Sequence, residues 1–316
     1  MEDKLILSPS PHLRAKTNTT RIMLDVLIAL APAAVASMLL YGFHALVVLA
    51  DTVLAAVAAE WISRKVMKRE NTVGDLSAVV TGVLLAFNLP PSIHPLTAAF
   101  GAVVAIVVVK QMFGGIGCNF VNPALAARIV LLTSFPKAMT SWTAPIKLGS
   151  AKIDAVSCAT PLALHASGED TPLMKLFLGT TGGCLGETCA LALIIGGIYL
   201  VFRRVISPVI PLVYLSTAAA VSLLLGEDPL FQLLSGGLML GAIFMATDYT
   251  TSPMNTSGKV IYAVGCGVLT MVIRVFGNLP EGVSFSILLM NILTPLIERA
   301  TVPKPFGEGR HSREKA

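Results

Sequence analysis

The sequence predicts an all-α polytopic membrane protein with about ten transmembrane helices in a 5+5 inverted repeat. Three observations lead there. First, 54% of the 316 residues are hydrophobic and only 13% are charged, whereas soluble domains run nearer a quarter charged. Mean hydropathy is +0.77. Second, the apolar residues gather into runs long enough to cross a hydrocarbon core about 30 Å thick. Third, short proline-containing runs close both halves of the chain, and such segments in matching positions mark an inverted repeat with a site near the midplane. The net charge of +5 does not indicate nucleic acid, because the basic residues sit in short clusters between apolar runs, where they orient a membrane protein.

The spans read 22–40, 44–62, 73–89, 95–113 and 121–133, then 182–202, 208–225, 230–247, 259–277 and 282–297. Arg21 followed by an apolar run and Ala34-Val35-Ala36 resembles a cleavable signal. The run continues through Ser37 to Leu40 behind a twenty-residue lead, so it reads as the first span. Lys4, Arg14, Lys16 and Arg21 precede it; Arg64, Lys65, Lys68 and Arg69 follow the second span, and Arg203 and Arg204 the sixth. Arg299, Lys304, Arg310, Arg313 and Lys315 follow the tenth. With ten spans these clusters share one side, and the loops 41–43, 90–94, 226–229 and 278–281 on the other hold no Lys or Arg. The positive-inside rule then makes both termini cytoplasmic. The chain divides into a cytoplasmic tail (1–21), a first membrane half (22–133), an extracytoplasmic loop (134–181), a second half (182–297) and a cytoplasmic tail (298–316). The long loop is the one connection of its kind, and such loops are usually functional or linkers. The fifth span contains Asn122-Pro123 and the tenth Thr294-Pro295, so both are expected to be short and proline-broken.

Several chemistries find no support. There is no phosphate-binding G-x-x-x-x-G-K-[ST] loop, and His12, His44, His94, His165 and His311 do not pair across spans as haem ligands would. Cys118, Cys158, Cys184, Cys189 and Cys266 form no disulfide, zinc or iron–sulfur spacing; Cys184 and Cys189 read as small packing residues. No catalytic residue and no metal site is expected.

Three polar segments stand out. Gly114-Gly115-Ile116-Gly117-Cys118-Asn119-Phe120-Val121-Asn122-Pro123 combines glycines, which let backbone approach something closely, with two amides able to donate and accept. It suits a planar polar ring or an ion, or equally a turn and an Asn-Pro helix start at a tight crossing. Residues 248–257, beginning Asp248-Tyr249-Thr250-Thr251, form a second polar loop on the same face, either a cradle or a set of caps. Asp154-Ala155-Val156-Ser157-Cys158-Ala159-Thr160-Pro161-Leu162 reads as a helix start, Thr160 as N-cap and Pro161 at the first position; a helix N-terminus also favours a phosphate. Asp25, Asp51, Glu60, Lys110, Arg128, Glu187 and Arg274 lie within spans, several near enough to their ends to snorkel.

Together these segments, with Ser8-Pro9-Ser10-Pro11-His12 and Ile22-Met23-Leu24-Asp25 through Ala33, resemble the family of the Rnf complex D subunit and NqrB, over nearly the whole chain. The start of the chain favours the Rnf branch, since a longer N-terminal region is expected of NqrB. Residues 154–160 resemble the family's D-x-x-S-G-A-T flavinylation motif, with Cys158 in place of glycine; a positive φ there would strain the cysteine. The resemblance implies FMN esterified through its phosphate to Thr160, with Asp154 and Ser157 in the motif read by a flavin transferase. Asn119 and Asn122 become flavin or helix-break contacts, and a second, non-covalent flavin, riboflavin, is expected. It further implies a urea-transporter-like fold in a prokaryotic cell membrane. The chain would relay electrons within a ferredoxin:NAD⁺ oxidoreductase coupled to Na⁺ or H⁺ transport, alongside the A, B, C, E and G subunits of the Rnf complex. The lipid bilayer is the remaining partner and nucleic acid is not one. The competing reading is a solute or ion channel of the same fold without redox chemistry. Thr160 falls outside and the two polar loops inside, so they line one flavin only if the loops fold back.

Overall fold

The computed structural model describes residues 18–145, 158–169, 171–187, 189–277 and 282–303. Asp154 and Ser157 lie outside the described residues. The structure is all-helical, with no strand among the described residues. The first half holds α1 (Thr19–Tyr41), α2 (Phe43–Val66), a 3₁₀ turn (Val73–Asp75), α3 (Ser77–Phe87), α4 (Pro95–Val103, continuing as a π-helix over Val104–Gln111) and α5 (Pro123–Ser134). The region between the halves contains α6 (Pro136–Met139), α7 (Pro161–Ala166) and α8 (Leu173–Leu178). The second half holds α9 (Ala190–Phe202), α10 (Val209–Leu224), α11 (Pro229–Leu234), α12 (Leu238–Leu240, passing into a π-helix over Gly241–Met245), α13 (Thr256–Phe276) and α14 (Val283–Thr301). Among the described residues α1, α2, α13 and α14 are long and apolar enough to cross a membrane, and shorter apolar helices lie under the other predicted runs. The chain is a multi-pass membrane protein.

Its surface explains the composition. Along α1 the exposed side chains are Leu24, Ile28, Val35 and Leu39, whereas Ala29, Ala33 and Ser37 face inward. Lipid solvates the large apolar residues, and small ones let helices approach. A Cβ on Gly196 of α9 would sit 2.1 Å from the Ala29 carbonyl oxygen of α1. Gly82 of α3 would likewise meet the α2 backbone at Val53 Cα, 2.8 Å away, and Gly267 of α13 meets Thr217 of α10.

Three local expectations need correcting. The sixth span does not begin at 182. Residues 182–187 form a non-helical strap laid on the end of α3, with Leu185 N–H donating to Leu89 O and Gly186 N–H to Phe87 O. A side chain at Gly186 would overlap Phe87. The tenth span is not broken: α14 runs through Pro295 as one 19-residue helix, although proline removes one rung of the ladder. The eighth is broken, by Gly236 and Gly237 at positive φ.

Glu60, Lys110, Arg128 and Arg274 do not snorkel but bond within the protein. Glu60 is fully buried, Lys110 is 3% exposed, and they pair at 3.1 Å. Arg274 donates to the carbonyls of Gln232, Ser235 and Gly236, where α11 ends. Arg128 donates to Asn88 Oδ1 at 2.8 Å and to Cys184 Sγ at 3.5 Å, and that thiol donates to Asn88 O. Cys184 is thus a polar link rather than simple packing.

Candidate functional site

α1 and α9 run antiparallel, held at one end by Asp25, which pairs with Arg203 at 3.3 Å and accepts from Tyr199. That end of the molecule carries a partly open cavity of about 270 Å³, near the lower bound for small-molecule sites, roughly 300 Å³. Ile22, Met23 and Val26 of α1, Val80 and Leu84 of α3, Leu200 of α9, and Phe244 form apolar walls. Lys110, Ser77, Thr81, Asn119, Asn122, Thr247 and Asp248 supply the polar lining. The two polar loops of the sequence therefore meet in one place.

How they meet follows from backbone chemistry. Gly114, Gly115 and Gly117 all take positive φ, a conformation that costs glycine nothing. What Gly115 approaches closely is Arg64: a Cβ would lie 2.2 Å from its guanidinium. The loop then reaches α5, whose N-cap is Asn122, with Oδ1 accepting from Ala124 N–H at 3.0 Å and Leu125 N–H at 3.4 Å. Asn122 Nδ2 donates to Met245 O at 3.3 Å, tying α5 to the π segment. With the Asn291 amide turned to suit its neighbours, its oxygen accepts from Asn122 N–H at 3.2 Å. Asn119 Nδ2 donates to Val121 O, and its side chain hydrogen-bonds Asp248. Burial pushes the Asp248 carboxyl above its ordinary range; hydrogen bonds from Thr250 N–H, Thr251 and Asn119 oppose the shift.

The π turn of α4 sets the charged wall. An i→i+5 helix adds a residue per turn and re-aims side chains, often at functional sites. Here Lys110 Nζ donates to both Glu60 oxygens at 3.1 Å and to Ser77 Oγ at 2.7 Å. Glu60 Oε1 also accepts from Gln111 Nε2 at 2.9 Å and Thr72 Oγ1 at 2.8 Å. In the sequence Glu60 and Lys110 stand as separate internal charges fifty residues apart, and only the fold pairs them.

Thr160 lies at the other end. α1 is the ruler: Thr19 lines the cavity, and Tyr41, at the far terminus about 33 Å away at 1.5 Å per residue, donates to Thr181 O. Beside it Cys158 Sγ packs on Gly182, where a Cβ would lie 2.1 Å from the sulfur. Cys158 N–H donates to Trp142 O. Burial pushes its thiol above the ordinary value. Thr160 caps α7, its Oγ1 accepting from Ala163 N–H at 3.3 Å, with Pro161 at the first position. Leu162 seats α7 on Leu176 and Phe231, and His165 bonds Glu227 at 2.8 Å. The structure thus brings Asn119 and Asn122 together and sets Thr160 apart from them.

The residues fit flavins at both places in chemical kind. The cavity combines apolar walls with a polar lining that includes Lys110, Asn119 and Asn122, the residue kinds that suit an apolar ring with polar edges. Thr160 offers a hydroxyl at a helix start, compatible with an attached phosphate.

Residues 6–307 match the NQR2, RnfD, RnfE family. The chain is 51% identical, over 99% of its length and 98% of the relative's, to the D subunit of the Na⁺-translocating ferredoxin:NAD⁺ oxidoreductase complex of Acetobacterium woodii. It is 42% identical to the D subunit of the proton-translocating ferredoxin:NAD⁺ oxidoreductase complex of Clostridium ljungdahlii, over 96% of each chain. It is 40% identical to the D subunit of the ion-translocating oxidoreductase complex of Stutzerimonas stutzeri, over 95% of each chain.

Proposed function

This chain belongs to the NQR2, RnfD, RnfE family, and we propose from that premise that it is the flavin-carrying membrane subunit of an ion-translocating ferredoxin:NAD⁺ oxidoreductase complex. It would relay electrons between the two faces of the membrane. The observation that carries the reading is the pairing of full-length similarity to D-subunit relatives with two separate sites at opposite ends of α1. FMN joined to Thr160 would serve the outer end, and a non-covalent flavin such as riboflavin the cavity at the cytoplasmic end. Bound there, flavins supply one- and two-electron redox chemistry, and the protein supplies position, tuning and insulation. The A, B, C, E and G subunits would be the partners in the complex, and a flavin transferase would act during maturation. Na⁺ is named for one relative and the proton for another, so either ion suits the reading.

This chain's own residues have definite tasks. Thr160 provides the hydroxyl that becomes the ester oxygen, within the motif begun by Asp154 and Ser157. Its Oγ1 remains able to accept from Ala163 N–H, so attachment is compatible with the cap. At the cavity Asn119 ties its loop to Asp248 and Asn122 ties α5 to Met245 O, and Val80, Leu84 and Phe244 supply apolar wall.

Helix packing is consistent with a ten-span 5+5 repeat, and the positive-inside rule is what would place both termini on the cytoplasmic side. Matching α1 to α9, α2 to α10, α3 to α11 and α12, α4 to α13, and α5 to α14, the contacts of α2 with α3 and α4 recur as those of α10 with α11 and α13. The α4–α5 contact recurs as α13–α14, and α1 with α9 and α5 with α14 join the halves. The antiparallel course of α1 and α9 is what an inverted repeat requires.

The test is in-gel flavin fluorescence of the chain after denaturing electrophoresis, from cells supplying a flavin transferase, with acid-released flavin measured in parallel. The expected result is a fluorescent band in the wild type, none in Thr160→Ala, and acid-released flavin in both. No band in either, with a known transferase substrate labelled alongside, would overturn the covalent assignment and favour a solute channel. No acid-released flavin attributable to this chain would overturn the cavity assignment.

A further inference from the structure

The cavity is partly open, and one of its polar walls leads away from it into the protein. Ser77 and Lys110 line the cavity, and Lys110 Nζ lies 2.7 Å from Ser77 Oγ. Behind Lys110 stands Glu60 at 3.1 Å from Nζ, and behind Glu60 the Thr72 hydroxyl at 2.8 Å. Thr72 is half-buried and next to exposed Asn71, on the connection ahead of the 3₁₀ turn. From Thr72 to Ser77, every step is a hydrogen bond between groups that can give and take a proton. A pair needed only for folding does not require a hydroxyl leading to solvent and another leading to a void. Burying an ion pair rarely stabilises more than apolar packing would, and ionisable residues inside a membrane are functional by default.

We propose that Thr72, Glu60, Lys110 and Ser77 form a proton route between the solvent beside residues 67–75 and the cavity. The proposal rests on the reading that the cavity holds a flavin. Lys110 releases a proton from Nζ toward the cavity, directly or through the Ser77 hydroxyl, and Glu60 restores it after receiving one from water through the Thr72 hydroxyl. Full reduction of the ring takes two electrons from one-electron carriers of the complex and two protons from water on the Thr72 side. Lys110 and Glu60 end in the protonation states in which they began. The charges facing Lys110 are Glu60 and Arg64 of α2 and Asp75 of the 3₁₀ turn. Asp248 stands elsewhere in the cavity lining, and Arg69 caps Gln111 O at 3.2 Å. Gln111 Oε1 has no hydrogen-bond partner among the described residues, so Gln111 holds Glu60 without extending the route.

The purified complex would be mixed rapidly with a substoichiometric reductant in weakly buffered solution. Flavin bleaching and a pH-indicator dye are followed together, and acid-released flavin is quantified first. Glu60→Gln is expected to retain its flavin and to slow proton uptake roughly a hundredfold, the scale of a lost acid–base group. Because that change touches a buried pair, Thr72→Val provides an independent arm, expected to slow uptake with rescue by Thr72→Ser. Unchanged uptake in flavin-replete Glu60→Gln, or in Thr72→Val, would overturn the route. So would slowing confined to Asp248→Asn, which assigns the proton to that carboxyl instead. A wild-type complex without non-covalent flavin would overturn the cavity reading itself, an outcome recognised before any kinetics are read.

Discussion

The two ends of α1 are built on opposite plans. The cavity end draws α1, α3, α4, α5, α9 and the 241–250 segment into one wall. Its closure depends on the positive-φ glycines of the 114–117 loop, a π turn and a buried ion pair. The Thr160 end is smaller: an N-cap, a proline and a six-residue helix, with Thr160 itself 8% exposed, seated on a small apolar cluster with Leu176 of α8 and Phe231 of α11. A cavity that must orient a ring gains from groups fixed by distant packing. A hydroxyl that another enzyme must modify gains from lying on an element that stands apart from the main core. Disturbing helix packing should therefore damage the first end and spare the second.

The largest effect is expected from Gly196→Val. A Cβ alone would sit 2.1 Å from the Ala29 carbonyl oxygen and 3.0 Å from Phe244 Cζ, and Phe244 lines the cavity. Overpacking of this kind costs about 1–3 kcal/mol or more, and the strain falls on the α1–α9 seam. Thermal unfolding of the purified complex should shift down and acid-released flavin should fall, while in-gel fluorescence at Thr160 persists. Equal loss at both ends would break the distinction.

The same contrast explains what was legible in the sequence. Thr160-Pro161 announces a helix start because capping chemistry is local, and Asn122-Pro123 does so for the same reason. The helices under the predicted runs were legible because hydropathy needs only a window. Pairing Glu60 with Lys110 needed the fold. So did the identity of Arg64 as the group the glycine loop approaches, since a glycine records that something is near but not what. The strap at 182–187 was misread because its apolar residues pack on α3 rather than face lipid. Pro295 was misread because a helix held by its neighbours can lose one hydrogen bond and continue.

Asn122→Ala gives a middle-sized test. It removes the cap of α5 and the bond to Met245 O, a loss of about 1 kcal/mol for the cap. The expected outcome is a modest fall in the unfolding temperature and weaker retention of non-covalent flavin on dilution, with Thr160 labelling unchanged. Full retention would show that the loops hold their shape without this tie, and that Asn122 is dispensable to the cavity.

The smallest effect belongs to the Thr160 end. His165 is bonded to Glu227 at 2.8 Å and lies against Phe231 with ring centroids 4.5 Å apart. Both partners of the polar contact are about a third exposed, and contacts of that kind contribute roughly 0.2–1 kcal/mol. Leu162, by contrast, is buried against Leu176 and Phe231 and supplies the main seat of α7. His165→Ala should therefore leave the final extent of flavin labelling unchanged, with at most a small decrease in its rate, and should not alter acid-released flavin. A large loss of labelling would mean that α7 is held by its polar edge rather than its apolar one. The two ends would then differ less in plan than their construction suggests, since both would depend on charged groups brought together from separate parts of the chain.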